Sequence, residues 1–318
     1  MQLRRLGRTD LTIAPMVLGG NVFGWTADKA ASFAVLDRFA AAGLNAIDTA
    51  DAYSSWFPGN KGGESETIIG EWMKARGNRS RMIVVTKVGS PMGKGKEGLS
   101  ARYIEEAVEA SLRRLQTDVI DLYLSHFPDM ATPFSETLGA YARLIEKGKI
   151  RWCGASNLTV ALLESAIAVA KAHGLPRYEV LQPEYNLVDR AGFEGGLAGI
   201  CRREEIGVIT YFSLAKGFLS GKYRSAADLT KSPRGGGVKD YLNPRGFRIL
   251  DALETVASRH KAKPAEVALA WIIARRGVTA PIASATSIEQ ADSLVRATEL
   301  SLSEADMAAL NEASAPAA

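Results

Sequence analysis

The sequence predicts an α/β protein whose parallel strands close into a (β/α)8 TIM barrel, and three observations carry that expectation. Eight short apolar runs of strand length recur along the chain. Longer segments of helical period separate them, as crossover helices between parallel strands would. The strand runs are apolar throughout rather than alternating, as strands covered on both faces must be. Eight such units in 318 residues suit a closed barrel better than an open sheet. The open, doubly wound alternative is further disfavoured by the first strand-to-helix turn. That turn, VLGGNVFGW, lacks the G-x-G-x-x-G phosphate fingerprint, and no G-x-x-x-x-G-K-[ST] occurs.

The elements follow in order. QLRRLGRTDLTIA, within residues 1–15, alternates around a Gly-Arg-Thr-Asp turn and reads as a β-hairpin. PMVLGG is the first barrel strand, with the helical segment 29–43 behind it, and LNAID is the second. MIVVTK is the third, followed by a helix over 101–116. VIDLYLS is the fourth, followed by 136–148, and IRWCGAS the fifth, followed by 158–174. YEVLQ, GVITYFS and TAPIAS complete the eight. The four helical stretches carry apolar residues at i, i+3, i+4 and i+7, and Gly43, Gly148 and Gly174 stand where helix C-caps belong. Residues 216–244 break the rhythm. That stretch is too long and glycine-rich for a plain connection and reads as a lid or belt. With no internal repeat or boundary signal, residues 1–318 read as one domain. The terminal NEASAPAA is expected to fray.

Composition narrows the function classes. Hydrophobic residues make up 47% and charged residues 23%, ordinary for a soluble globular protein. The net charge of +4 comes from scattered Lys and Arg, which argues against a nucleic-acid face. Cys153 and Cys201 cannot build a disulfide framework, and their scarcity fits a reducing, cytoplasmic setting. The N-terminal segment lacks the apolar core of a secretory signal, and no apolar run approaches the ~20 residues of a membrane span. The three histidines lack metal-ligand spacing, so no metal site is expected. His173 and His260 lie near helix ends and are expected to face solvent. The sequence shows no coiled coil or dimer patch, which leaves a monomer or a weak homo-oligomer.

In a barrel of this kind the C-terminal strand ends build the active site. The second strand ends at Asp48 with Tyr53 just beyond, the third at Lys87 and the fourth at His126. The fifth ends at Ser156 and Asn157, the sixth at Gln182, the seventh at Tyr211 and Ser213. Each has a plain structural reading: a turn aspartate, a loop aromatic, a snorkelling lysine, a satisfied core histidine. Three consecutive strands, however, aim a carboxylate, an ammonium and an imidazole at one place.

These residues resemble the aldo-keto reductase family over essentially the whole chain. NAIDTADAYSSW is similar to the family's Asp and Tyr segment, VVTKVG to its lysine segment and DLYLSHFPD to its histidine segment. GASN, LQPEYNLV and YFSLAKGFLSGKY are similar to its cofactor-side motifs. The resemblance implies NADPH-dependent reduction of an aldehyde or ketone. Charge developing on the carbonyl oxygen needs a proton and fixed donors. A free phenol titrates near ~10, and a nearby ammonium lowers that value. Tyr53 is then the general acid, Lys87 assists it, Asp48 holds Lys87 charged, and His126 orients the carbonyl.

The resemblance further assigns Ser156, Asn157 and Gln182 to the carboxamide, Tyr211 to stacking on the nicotinamide, and Ser213, Leu214, Lys216, Gly217 and Leu219 to the pyrophosphate. Asn21 and Lys222 join the cofactor set, and 216–244 becomes a belt over the dinucleotide. The adenosine segment APIASATSIEQADSL departs from the family. Ser284, Thr286, Ser287 and Gln290 offer hydroxyls and an amide where many members carry Lys or Arg, in place of Ser284 or Gln290. NADPH stays the default and NADH an open alternative. Trp25, Trp56 and Phe127, with Val88, are expected to line an apolar mouth suited to aldehydes or bulky, even polycyclic, ketones. Two other readings remain: a Schiff-base lyase using Lys87, and a nicotinamide-sensing regulatory subunit.

Overall fold

In a computed structural model that describes residues 2–93, 95–233 and 235–315, eight parallel strands form a closed barrel. They are β3 (Val17–Gly19), β4 (Ala46–Asp48), β5 (Ile83–Val88), β6 (Ile120–Ser125), β7 (Ile150–Ser156), β8 (Val180–Gln182), β9 (Gly207–Thr210) and β10 (Ala280–Ala283). Each pairs with the next, and β10 closes on β3 through Ile282 opposite Val17. The expected N-terminal hairpin forms from β1 (Arg4–Arg5) and β2 (Thr12–Ile13), antiparallel. Its Leu6, Leu11 and Ile13 pack with the barrel interior, so the hairpin plugs the N-terminal end.

That interior positions the site. Val17, Ala46, Val85, Leu122, Leu124, Val180, Ile209, Ala280 and Ile282 form one buried cluster inside the barrel. Side chains alternate faces along a strand, so the residue two further on points inward again, one layer higher. Two residues on from Ala46, Val85, Leu124, Val180, Ile209 and Ile282 stand Asp48, Lys87, His126, Gln182, Tyr211 and Ser284. The apolar core thus ends upward in a polar layer at the C-terminal face.

The helices cover the outside. α1 spans Lys29–Ala41, α2 Glu64–Arg76, α3 Ala101–Leu115, α4 Phe134–Glu146, α5 Val160–His173 and α6 Ala198–Arg203. α7 (Pro244–His260), α8 (Pro264–Ile273), α9 (Ile288–Glu299) and α10 (Glu304–Ala313) follow. α3 shows why such segments are helical. Ser100 caps it by accepting from the Tyr103 N–H, and Ile104, Ala107, Val108, Ser111, Leu112 and Leu115 form its buried stripe. Gly43, Gly148 and Gly174 each adopt positive φ at or just past a helix end, where a Cβ would be strained.

Four expectations need adjusting. The terminal NEASAPAA does not fray from its start, since Asn311–Ala313 close helix α10, and residues 316–318 lie outside the described residues. The third strand runs one residue past Lys87, to Val88. GVITYFS is a strand only as far as Thr210, because Phe212 turns to φ 49°. His260 does not simply face water: its Nε2 lies 2.9 Å from Asp306 Oδ2. Within 216–244 the described residues include short 3-10 turns, over Ala215–Ser220, Ala226–Lys231 and Gly235–Tyr241. Among the described residues, no helix is long and apolar enough to cross a membrane.

Candidate active site

The polar layer converges on Lys87. Its side chain is fully buried, an arrangement an ammonium tolerates only with partners. It has three, one for each proton: Asp48 Oδ2 at 2.7 Å, the Thr49 carbonyl at 2.7 Å and Tyr53 Oη at 2.8 Å. Asp48 is itself buried. Its Oδ2 also accepts from the Tyr53 hydroxyl at 3.2 Å, and its Oδ1 accepts from Gln182 Nε2 at 2.8 Å. Burial pulls the Lys87 ammonium below its ordinary pKa, and the Asp48 carboxylate opposes that shift. The phenol of Tyr53 therefore sits between an anion and a cation, both held rigidly from strands.

His126 completes the group. Its ring centroid lies 6.0 Å from that of Tyr53, edge to face, and Phe127 stacks on its other side at 4.7 Å. Burial, with the Lys87 charge nearby, pushes the imidazole down to about 3, so it is neutral across the working range. Its Nδ1 is buried without a protein partner. Asn157, held at φ 60°, fixes the backbone here: its amide donates to the His126 carbonyl at 2.8 Å and to Ser156 Oγ at 3.1 Å. The Tyr211 hydroxyl donates to Asn157 Oδ1 at 2.7 Å, and Ser156 Oγ donates to the Gln182 carbonyl at 2.8 Å. The strand-end polar groups form one connected network from Lys87 round to Tyr211.

Above this network lies a cavity of about 1130 Å³. Asp48, Tyr53 and His126 form part of its floor, with Trp25, Trp56 and Phe127 at the mouth. Trp25 meets Trp56 edge to face at 5.6 Å, and Trp56 lies 6.1 Å from the Tyr53 ring. Trp56 is 50% exposed and Phe127 43%, open enough to meet a ligand. Asn21, Ser156, Asn157, Gln182 and Tyr211 follow along the wall, then Ser213, Leu214, Lys216, Gly217 and Lys222, then Ser284, Thr286 and Gln290. Phe212, Ala215 and Lys216 all adopt positive φ, a strained run of the kind that collects at ligand sites.

Three expected lining residues do not reach the cavity. Val88 and Leu219 are fully buried in the hydrophobic core, because each faces the helix layer rather than the barrel axis. Ser287 instead caps α9 by accepting from the Gln290 N–H. The wall also includes Phe57 and Ser90, which lie outside every quoted motif, and Ser220, Ser232 and Ser293, which lie within the cofactor-side segments but are not singled out there. The Thr49 carbonyl is a backbone group and leaves no trace in residue type.

A closed barrel with a buried lysine–aspartate pair and a phenol beneath a long groove defines an enzyme-like site. Comparison with known proteins supplies the class. The sequence matches the aldo/keto reductase family over residues 15–315, and the chain belongs to that family. It is 31% identical to Protein tas of Escherichia coli, over 96% of this chain and 95% of that one. It is 31% identical to the uncharacterized oxidoreductase YrpG of Bacillus subtilis, over 98% and 95% respectively. It is also 30% identical to norsolorinic acid reductase of Aspergillus flavus, over 95% of this chain and 78% of that protein. The family's chemistry is carbonyl reduction with nicotinamide cofactors, which makes this chain an oxidoreductase.

Proposed function

We propose that the chain reduces an aldehyde or ketone to the alcohol, with Tyr53 as general acid. One observation carries the reading: the Tyr53 hydroxyl, on the floor of the cavity, lies 2.8 Å from the buried Lys87 ammonium beneath it. As the carbonyl oxygen gains negative charge, Tyr53 passes it a proton, and the Lys87 ammonium stabilises the phenolate left behind. Asp48 and the Thr49 carbonyl hold that ammonium in place. Neutral His126 donates to the substrate oxygen and orients it, and with Nδ1 unclaimed by protein the ring proton is free to sit on the nitrogen that needs it. A reduced nicotinamide bound along the groove would supply the hydride. The groove suits such a group. Its volume exceeds that of a typical small-ligand pocket. Ser156, Asn157 and Gln182 present fixed amide and hydroxyl groups near the phenol, Tyr211 offers a ring face, and Lys216 and Lys222 offer charge beside the strained turn. The 216–244 segment lends Ser220, Ser232 and Pro233 to the same groove and serves as the belt over the dinucleotide. Lys87 is fully buried with all three protons committed, which opposes a Schiff-base role. The test is a carbonyl panel followed by loss of reduced-nicotinamide absorbance with NADPH and with NADH. Dinucleotide binding with no turnover on any carbonyl would favour the sensing-subunit reading instead.

Cofactor choice follows from the adenosine end of the groove. Thr286, Gln290 and Ser293 line it, and Gln290 Oε1 is occupied by the Thr286 N–H at 2.9 Å and hydroxyl at 3.1 Å. No cation from this segment lines the groove among the described residues. NADPH and NADH should therefore differ modestly in kcat/KM. Thr286→Arg should raise the NADPH-to-NADH ratio about tenfold or more, the scale of one charge-assisted hydrogen bond. A ratio unmoved by Thr286→Arg would place the 2′-phosphate elsewhere.

For the substrate, the aromatic mouth favours a broad apolar carbonyl compound, and relatives named for norsolorinic acid reduction support a polycyclic ketone. Trp56→Ala and Phe127→Ala should each raise KM about tenfold for an aryl ketone, matching the loss of one aromatic contact and its burial, and much less for a small aldehyde. Equal effects on both substrates would rule out these rings as a selective surface.

A further inference from the structure

Asp51 follows β4 by three residues and precedes Tyr53 by two. Its carboxyl is buried at 2% exposure, and among the described residues no side chain hydrogen-bonds to either oxygen; only the Ala52 N–H favours its ionised form, and burial outweighs it. A carboxyl so placed is costly and calls for a reason. Among the described residues it caps no helix and no ion pair closes on it. The cations within electrostatic reach are committed elsewhere. Arg114 on α3 donates to Glu66 at 2.6 Å and to Ser111 at 3.2 Å, and Lys87 spends its protons on Asp48, Thr49 and Tyr53. What joins Asp51 to Lys87 is the main chain: the Asp51 N–H donates to the Lys87 carbonyl at 3.3 Å. Glu66 on α2 adds a second negative charge nearby, while its own oxygens are taken by Thr86 and Arg114. Tyr103 on α3 and Tyr123 on β6 both feel the Asp51 charge, and the Tyr123 hydroxyl likewise has no partner. Lys87 is faced in turn by Asp48, Asp51 and Glu66, and His126 feels its charge.

The geometry points to Asp51 as a positioning residue for proton delivery, one that sets the charge beside Lys87 without touching substrate or cofactor. This rests on the proposed role of Tyr53. Burial first, then Glu66, pushes the Asp51 carboxyl up to about 8. Below that pH it is neutral, and the Lys87–Asp48 and Arg114–Glu66 pairs balance. Once ionised, it places an extra negative charge in the same buried region. That charge grips the Lys87 proton harder and opposes the negative charge Tyr53 acquires on giving up its own. Carbonyl reduction slows as a result. Alcohol oxidation, which needs the phenolate as base, moves to higher pH. The folded value lies above the ordinary 3.8, so the folded chain keeps a proton that the unfolded chain releases. The group's contribution to stability is whole below about pH 4 and is lost as pH rises to about 8.

Asp51→Asn keeps the shape and removes the ionisation. The experiment is kcat against pH for carbonyl reduction in both proteins. The variant-to-wild-type ratio of kcat should climb by up to about tenfold as pH passes 8, with little change in KM, and Asp51→Glu should restore a titration. A ratio flat with pH overturns the inference. Infrared spectra of the wild-type protein give a second arm that does not depend on the variant's folding. A protonated-carboxyl band should be present at neutral pH, fade above pH 8 and, where Asp51→Asn folds, be missing from it. Absence of that band in the wild type also overturns the inference. Tyr53→Phe separates the two layers. If that variant turns over normally, the acid assignment fails and takes this inference with it. If it is inactive while the Asp51→Asn ratio stays flat, only the role of Asp51 falls.

Discussion

Tyr53→Phe is expected to lower kcat/KM for carbonyl reduction by about 10²–10⁴-fold while dinucleotide affinity stays near that of the wild type. The magnitude is that of a positioned general acid, about 3–5 kcal/mol of transition-state stabilisation. The substitution removes only the hydroxyl. The ring stays beside Trp56 and His126, so the mouth of the cavity keeps its shape. Asp48 loses one donor at 3.2 Å but keeps Lys87 and Gln182, and the fold should hold. Two measurements check this: steady-state kinetics on an aryl aldehyde, and fluorescence titration with the dinucleotide. Near-normal turnover would remove Tyr53 from its role. The pH profile adds a related expectation. With His126 held down at about 3, no inflection from that ring should appear near its ordinary 6.5. Its folded value lies below the unfolded one, so its contribution to stability is present above about 6.5 and lost as pH falls toward 3.

Lys87→Met is expected to abolish useful turnover and to destabilise the fold by about 3–5 kcal/mol, the cost of leaving a buried charge without its partner. The reason is specific to this barrel. Asp48 is buried beside Lys87, and its two remaining donors, Gln182 and the Tyr53 hydroxyl, are uncharged and cannot replace an ammonium as its counter-charge. Removing the acid as well should recover much of the stability, since an uncharged pair of similar volume costs little in a core. Asp48→Asn combined with Lys87→Met should therefore be more stable than Lys87→Met alone, yet equally inactive. Denaturant unfolding of the wild type, both single variants and the double variant gives the coupling energy directly. Strict additivity would mean that the two side chains do not act as a pair.

What the sequence makes legible depends on the kind of group involved. Asp48, Lys87, His126, Gln182 and Tyr211 are legible because each stands at or beside the end of an apolar run, and strand period puts them on the inner face; Ser284 shares that parity but is singled out only through the family resemblance. The same parity, applied strictly, would have excluded Val88, which lies one residue from Lys87 and so faces the helices. Leu219 looked like a cofactor residue by motif but points into the core. Helix α2 carries no clean apolar stripe, because Glu66 is fully buried to hold Arg114 and Thr86, and Gly70 makes room for the backbone at Arg114. The internal turns of 216–244 left no periodic signal, since 3-10 turns are too short to carry one. Asp51 stood in plain view two residues before Tyr53, but its isolation emerges only from the packing around it.

The most direct test of the account uses a reduced nicotinamide dinucleotide carrying deuterium at C4 and an aryl ketone or aldehyde in a single turnover. The account predicts an alcohol with deuterium on the carbinol carbon, solvent hydrogen on oxygen, and almost no product from Tyr53→Phe. Product without deuterium at that carbon, or equal product from Tyr53→Phe, would contradict it.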